Sequence, residues 1–252
     1  MEATSWSLLN RASHNDPEAL SQIIRLYTQP LHRYLTGVRK IAAQDADDIV
    51  QEFLVAKVLN ITWLANADRE RGRFRSYMFR SLQNFLIDQS RRAPNAVDGA
   101  APFDYLSPSD EPEALPDEES FDLLWSEQVI NHALEAAKSE CYEKEQENYW
   151  YLFQLRVLGP ATSTVEPKPF RDCAKLCGFS SASHASNALL TVERRLQRHA
   201  RAYVACYCPQ DQVDEEVHDL VHKLGNSNLI CQKWVRHTLT PQHRAIGLLT
   251  LC

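Results

Sequence analysis

Along most of this chain apolar residues return at intervals of three and four, the spacing that gathers them on one face of an α-helix. Ala19, Leu20, Ile23, Ile24 and Tyr27 form one such stripe. It follows Asn15-Asp16-Pro17, a capping residue with proline in the first turn. Leu31, Tyr34, Leu35 and Val38 form a second stripe, in a helix that Pro30 is expected to open. Asp45 is expected to cap a third helix, DADDIVQEFLVAKVLN, with Ile49, Val50, Phe53 and Ala56 facing inward. Asp47, Asp48, Gln51 and Glu52 gather toward its start, where acids complement the helix dipole. In the fourth, RGRFRSYMFRSLQNFLIDQSRR, the stripe is Phe74, Met78, Leu82 and Phe85 with Leu86 alongside.

The second half repeats the pattern after an interruption. Leu124, Trp125, Val129, Ala133, Leu134 and Ala137 line one face, and YWYLFQLRVLG reads as a further apolar helix stopped by Gly159-Pro160. Pro169 then begins a short helix that Gly178 ends, and Ser180 or Ser181 caps a long one running to about Tyr207. Its inward stripe is Ala185, Leu189, Val192, Leu196, Tyr203 and Tyr207. Helix, glycine turn, helix is the order of a helix-turn-helix.

Composition agrees with an all-α chain. There are 7 glycines in 252 residues, and β-branched runs with period-two alternation are almost absent. The start, MEATSWSLLNRASHND, lacks a basic stretch followed by an apolar run, so no signal peptide is expected. No run of eighteen apolar residues predicts a membrane span. The 7 cysteines are odd in number and irregularly spaced, which fits reduced thiols in a cytoplasm.

Charge divides the chain. Between Pro94 and Glu127 lie ten carboxylates, five prolines and no Lys or Arg, so this segment carries −10 of a net −6 and the rest sums to +4. Such a composition buries too little apolar surface to offset chain entropy and reads as a linker. The expected layout is two small helical domains, 1–93 and 121–224, joined by an acidic Pro-rich linker, 94–120, with a C-terminal extension, 225–252.

The candidate chemistry is polyanion binding. Arg69, Arg71, Arg73, Arg75, Arg80, Arg91 and Arg92 fall within 24 residues, against Glu70 and Asp88. A charge run is often only a solvated face, but guanidinium is a planar, bidentate partner for phosphate, and a neighbouring aromatic can stack on an unpaired base. Tyr77, off the apolar stripe, is the candidate for stacking. In the long helix Arg194, Arg195, Arg198 and Arg201 also lie off the inward stripe.

Two segments in order, DADDIVQEFLVAKVL and ADRERGRFRSYMFRSLQNFLIDQSRR, resemble region 2 of bacterial RNA polymerase sigma factors, closest to the extracytoplasmic-function-like group. TSWSLL, FDLLWSEQVINHALE, SSASHASNALLTVERRLQRHARAYV and DEEVHDLVHKL are similar to the same group, so the resemblance covers residues 4–224. It implies a region 2 helical bundle and a region 4 helix-turn-helix, with core RNA polymerase and promoter DNA as partners. An anti-sigma protein is a further partner that it allows, and no cofactor, metal or catalytic residue is implied. Asp47, Asp48, Gln51 and Glu52 would dock the polymerase clamp. Arg73, Arg75, Tyr77, Arg80, Arg91 and Arg92 would engage the minus-ten element and the melted strand. Ser181, Ser183, His184, Asn187, Arg194, Arg195 and Arg198 would serve the helix that reads the minus-thirty-five element, where Asn pairs with adenine and Arg with guanine. The linker would pass the active-site channel. The segment after Gly178 is longer than the usual region 4 turn, and polar His184 stands where an apolar residue is typical.

Other classes fit less. Cys173 with Cys177, and Cys206-x-Cys208 with His199, are metal-ligand types, but no C-x₂-C pair exists and the first two occupy core positions of the helix-turn-helix. No G-x-x-x-x-G-K-[ST], H-E-x-x-H or G-x-S-x-G motif points to an enzyme. A helix-turn-helix regulator that does not bind polymerase and a helical protein-interaction adaptor remain as alternatives.

Overall fold

The computed structural model describes residues 6–67, 73–92, 117–162 and 166–226, whose regular structure is helical, with no strand among them. They cluster into two compact units. The first comprises the described residues up to Trp125 together with Tyr207–Pro209. The second comprises the described residues from Ser126 to Cys206 and from Gln210 to Asn226.

In the first unit, α1 (Trp6–Ser13) leads through Asn15, at φ 63°, into α2 (Pro17–Gly37). The Asp16 carboxylate accepts from the Glu18 and Ala19 N–H groups, and Pro17 fills the first turn, as the sequence predicts. Pro30 does not open a separate helix. It lies buried inside α2, where it has no N–H to give the carbonyl of Leu26. One unbroken stripe offsets that cost, because Leu26, Tyr27, Leu31, Tyr34 and Leu35 are all buried. α3 (Ala43–Lys57) starts earlier than Asp45, which sits in its first turn and makes no cap bond. Leu54 rather than Ala56 completes its buried face. α4 (Ile61–Ala65) is capped by Asn60, and α5 (Phe74–Arg92) buries Phe74, Met78, Leu82 and Leu86 as expected, with Phe79 added and Phe85 only half-buried.

α6 (Asp117–Glu143) begins within the last residues assigned to the linker; residues 93–116 lie outside the described residues. The division between the units falls within this helix because Phe121 and Trp125 are ring-packed in the first unit. Phe121 stacks on Phe79 at 5.0 Å and meets the Tyr34 ring edge-on, while Trp125 stacks on Tyr27 at 4.6 Å. The Trp125 Nε1–H donates to the Tyr207 hydroxyl at 3.0 Å.

In the second unit α7 (Glu147–Phe153) does not stop at Gly159-Pro160. It widens through a π-helical turn, Gln154–Leu158, into α8 (Gly159–Thr162). The Gly159 N–H reaches back to the Gln154 carbonyl, and the reset register places Pro160 in a new first turn, where its missing N–H costs nothing. α9 (Phe170–Leu176) follows, fixed by Arg156, whose guanidinium lies 4.0 Å over the Phe170 ring and donates to the Lys168 carbonyl. α10 (Ala182–Ala205) ends before Tyr207, and α11 (Val213–Asn226) packs Val213, Val217, Leu220, Val221 and Leu224 inward. Beyond Asn226 the C-terminal extension lies outside the described residues.

Between α9 and α10 Gly178 adopts φ +73°, so the Phe179 N–H turns back to the Ala174 carbonyl at 2.8 Å and the chain reverses. No atom lies within 4 Å of a Cβ built there, so only backbone strain opposes a side chain. Gly178→Ala is expected to cost roughly 1–2 kcal/mol, seen as a lower melting temperature with helix content unchanged.

Candidate nucleic-acid interface

The short helix, glycine turn and long helix place one polar surface on α10. Ser181 caps it, its Oγ accepting from the His184 N–H at 3.1 Å. The His184 Nδ1 lies 3.2 Å from Ser180 Oγ and its ring packs edge-on against Phe179, so this histidine also shapes the turn. Ala185, Ala188, Leu189, Val192, Leu196, Ala200 and Val204 turn inward. Ser183, His184, Asn187, Leu190, Arg194 and Arg198 are exposed on the other side. Cys173, Ala174 and Cys177 are buried under this surface. Burial pushes both thiols up, which keeps them neutral, small core groups.

One predicted contact residue goes elsewhere. Arg195 is 6% exposed. Its Nε lies 3.3 Å from Glu140 Oε1, one Nη donates to the Gln146 amide oxygen at 2.6 Å, and the other meets Cys141 Sγ at 3.2 Å. Arg195 is therefore a core residue, since Glu140 on α6 offers a carboxylate at that depth. Glu140 also accepts from Lys144 at 2.6 Å and His199 at 2.9 Å, and pairs with Arg198. Burial alone would raise the Glu140 carboxyl. The Lys144 and His199 hydrogen bonds and the Arg198 and Arg195 charges outweigh burial and hold it at about 2. Arg198, 60% exposed, keeps part of its guanidinium at the surface.

The first unit holds a second cationic surface on α5. Arg73, Arg80 and Arg91 are exposed, while the Arg92 side chain lies outside the described residues. Arg75 does not join them. It is 1% exposed, with its Nε 2.7 Å from Asp122 Oδ1. Position 75 follows Phe74 on the stripe side of the helix, and Asp122 supplies a counter-charge for it there. Tyr77 is half-buried and stacks at 4.8 Å on Trp63, while its hydroxyl donates to the Trp63 carbonyl. Burial pushes the Tyr77 phenol up. The Trp63 Nε1–H donates to Ser81 Oγ at 3.1 Å, so two half-exposed rings are fixed beside Arg73 and Arg80. Trp63 escaped the sequence reading because it lies on short α4, where no periodicity marks it.

On α3, Asp47, Asp48, Gln51 and Glu52 are all exposed. Asp47 lies 3.4 Å from His32 Nε2, and Glu52 accepts from the Gln89 amide at 2.8 Å. Val55 at 61% and Leu59 at 50% exposure continue the same face, so the acids border an apolar strip. Such a combination suits a basic, partly apolar partner helix.

Two pH effects follow. The depressed Glu140 carboxyl contributes stability that is complete above the ordinary glutamate pKa and is lost as pH falls toward 2. Glu140→Gln is expected to lower stability by roughly 3 kcal/mol at pH 7. In denaturant titrations the gap from wild type should narrow as pH falls from about 4.5 to about 2. Glu193 on α10 behaves in the opposite sense, because burial raises its carboxyl to about 7. Its protonated form is the one the fold prefers, so stability falls as pH rises from the ordinary glutamate range through 7. Glu193→Gln should raise the melting temperature at pH 8 and leave it unchanged at pH 4.

Comparison with family models, curated proteins and solved structures finds no match to this chain.

Proposed function

We propose that this protein is a sigma factor, which binds core RNA polymerase and directs promoter recognition, melting and transcription initiation from the cytoplasm. The observation that carries the reading is the turn at Gly178 followed by capped α10, whose outward face combines Ser183, Asn187, Arg194 and Arg198. Such a helix can enter the major groove with its first turns at base edges and its arginines at phosphates. The resemblance of the α3 and α5 segments to sigma region 2 turns that DNA-binding geometry into a polymerase-dependent one.

In this reading α3 docks the polymerase through Asp47, Asp48, Gln51 and Glu52, with Val55 and Leu59 completing the surface. Arg73, Arg80 and Arg91 of α5 take phosphates of the minus-ten region. Tyr77 and Trp63 offer a fixed stacking platform for an unpaired base. Arg195 holds the fold and is removed from the set of DNA contacts, and Arg75 is no surface contact while Asp122 holds it.

The test is pulldown of core RNA polymerase by the purified chain, followed by transcription from genomic fragments. Initiation that requires both components supports the reading. A folded chain that ignores polymerase yet binds a duplex tightly alone is a helix-turn-helix regulator instead. Gln51→Arg is expected to abolish polymerase association with the melting temperature unchanged. Arg73→Ala with Arg91→Ala should weaken promoter opening and flatten the salt dependence by roughly 0.7–0.9 of a log-log unit per lost contact. Normal opening and an unchanged slope would take these arginines off the DNA surface.

A further inference from the structure

The arginine helix of the first unit is already covered by acids and rings from the same chain. α6 opens with Asp117, Glu118 and Glu119, followed by Phe121 and Asp122. Glu118 Oε2 lies 3.6 Å from Arg80 Nη2, and Asp122 takes the Arg75 guanidinium at 2.7 Å. Between these two carboxylates Phe121, 1% exposed, lies nearly parallel to the Phe79 ring at an interplanar angle of 22°. Carboxylates on guanidinium groups with a flat ring stacked between them are the contacts a single strand would make, phosphates on arginines and a base on an aromatic.

We propose that the first two turns of α6 are an autoinhibitory occupant of the α5 arginine face, and that single-stranded nucleic acid engages this face by displacing them. The inference rests on the reading of α5 as a nucleic-acid surface. The face exposed on displacement comprises Arg75, Arg80 and Phe79. The contact is graded along its length. Glu118 at 41% and Arg80 at 67% exposure form an outer pair that water and salt screen, whereas Arg75–Asp122 and the Phe121 ring form a dry inner layer. A strand therefore meets Arg80 first, and the inner layer sets how rarely the segment leaves. Burial of one phenylalanine corresponds to a factor of roughly 10 to 100 in that equilibrium. The free chain accordingly binds a single strand weakly, and its apparent affinity is reduced by the fraction that is open.

The probe is a fluorescent 20-mer of oligothymidylate titrated with the full chain. Glu118→Gln lies at a half-exposed position and leaves the inner layer intact; it should tighten binding several-fold. Glu119→Gln is the charge control, because it makes the same change on the exposed side of the same turn and should shift affinity far less. Phe121→Ala should tighten binding roughly tenfold or more. In hydrogen exchange on the wild type, the amides of residues 118–125 should lose protection when oligonucleotide saturates the chain.

Equal effects of Glu118→Gln and Glu119→Gln would reduce the contact to net charge and overturn the proposal. So would unaltered protection of residues 118–125 in a saturated complex. If Phe121→Ala fails to fold, the Glu118→Gln and Glu119→Gln pair decides alone. Arg80→Ala separates the two levels. Loss of binding in that variant without release of α6 sinks only the autoinhibition, whereas unchanged binding removes the nucleic-acid reading of α5 itself.

Discussion

A guanidinium cannot leave water without a carboxylate, and in this protein one helix supplies that carboxylate in both units. α6 places Asp122 against Arg75 and Glu140 against Arg195, and each of these arginines comes from the arginine-rich helix of its own unit. Removing either acid would leave a buried charge without compensation, a loss of roughly 3–5 kcal/mol for a pair of this kind. Arg73, Arg80 and Arg91 in the first unit, and Arg194 in the second, stay at the surface.

The two pairs do different work. Arg75–Asp122 is a bidentate contact in a unit whose core is aromatic, with Phe74, Phe79, Phe121, Tyr27 and Trp125 all buried. Glu140 instead collects Arg195, Arg198, Lys144 and His199, and only Arg195 is fully enclosed. The first pair is a dry clamp that defines where α6 lies in its unit. The second is a graded network running from core to surface, so Arg198 can hold Glu140 and still face outward. An arginine half committed in this way is already oriented, and orienting a long side chain beforehand lowers the entropy lost when it meets a phosphate.

Periodicity made the helices legible, along with the caps at Asp16 and Ser181, the turn at Gly178 and the buried stripes of α5 and α10. It misjudged Pro30 and Gly159-Pro160 for one reason. A breaker is read locally, whereas a continuous apolar stripe or a π turn can carry a helix past it. The fate of each arginine was not legible. Arg75 and Arg80 are five residues apart with similar neighbours, and Arg194 and Arg195 are adjacent. What separates them is the depth of an acid 47 residues away in one case and 55 residues away in the other. Trp63 was missed for a related reason, since its partner Tyr77 is close in space but 14 residues away in sequence.

The same bookkeeping changes how an arginine-rich segment should be read. Seven arginines in 24 residues suggest seven contacts, but a helix has an inner and an outer side, and charge counts do not distinguish them. An arginine on the stripe side is a phosphate ligand only if the fold lacks an acid to receive it. In α5 the acid exists and belongs to the segment that also supplies Phe121 and Trp125 to the aromatic core. Counter-charge and apolar burial therefore act together on α6, and neither Arg75 nor the rings beside it can be offered to a ligand singly. Any nucleic acid that uses this inner layer must replace an ion pair and a stacked ring at once, a demand that a strand carrying both phosphates and bases meets and a simple anion does not.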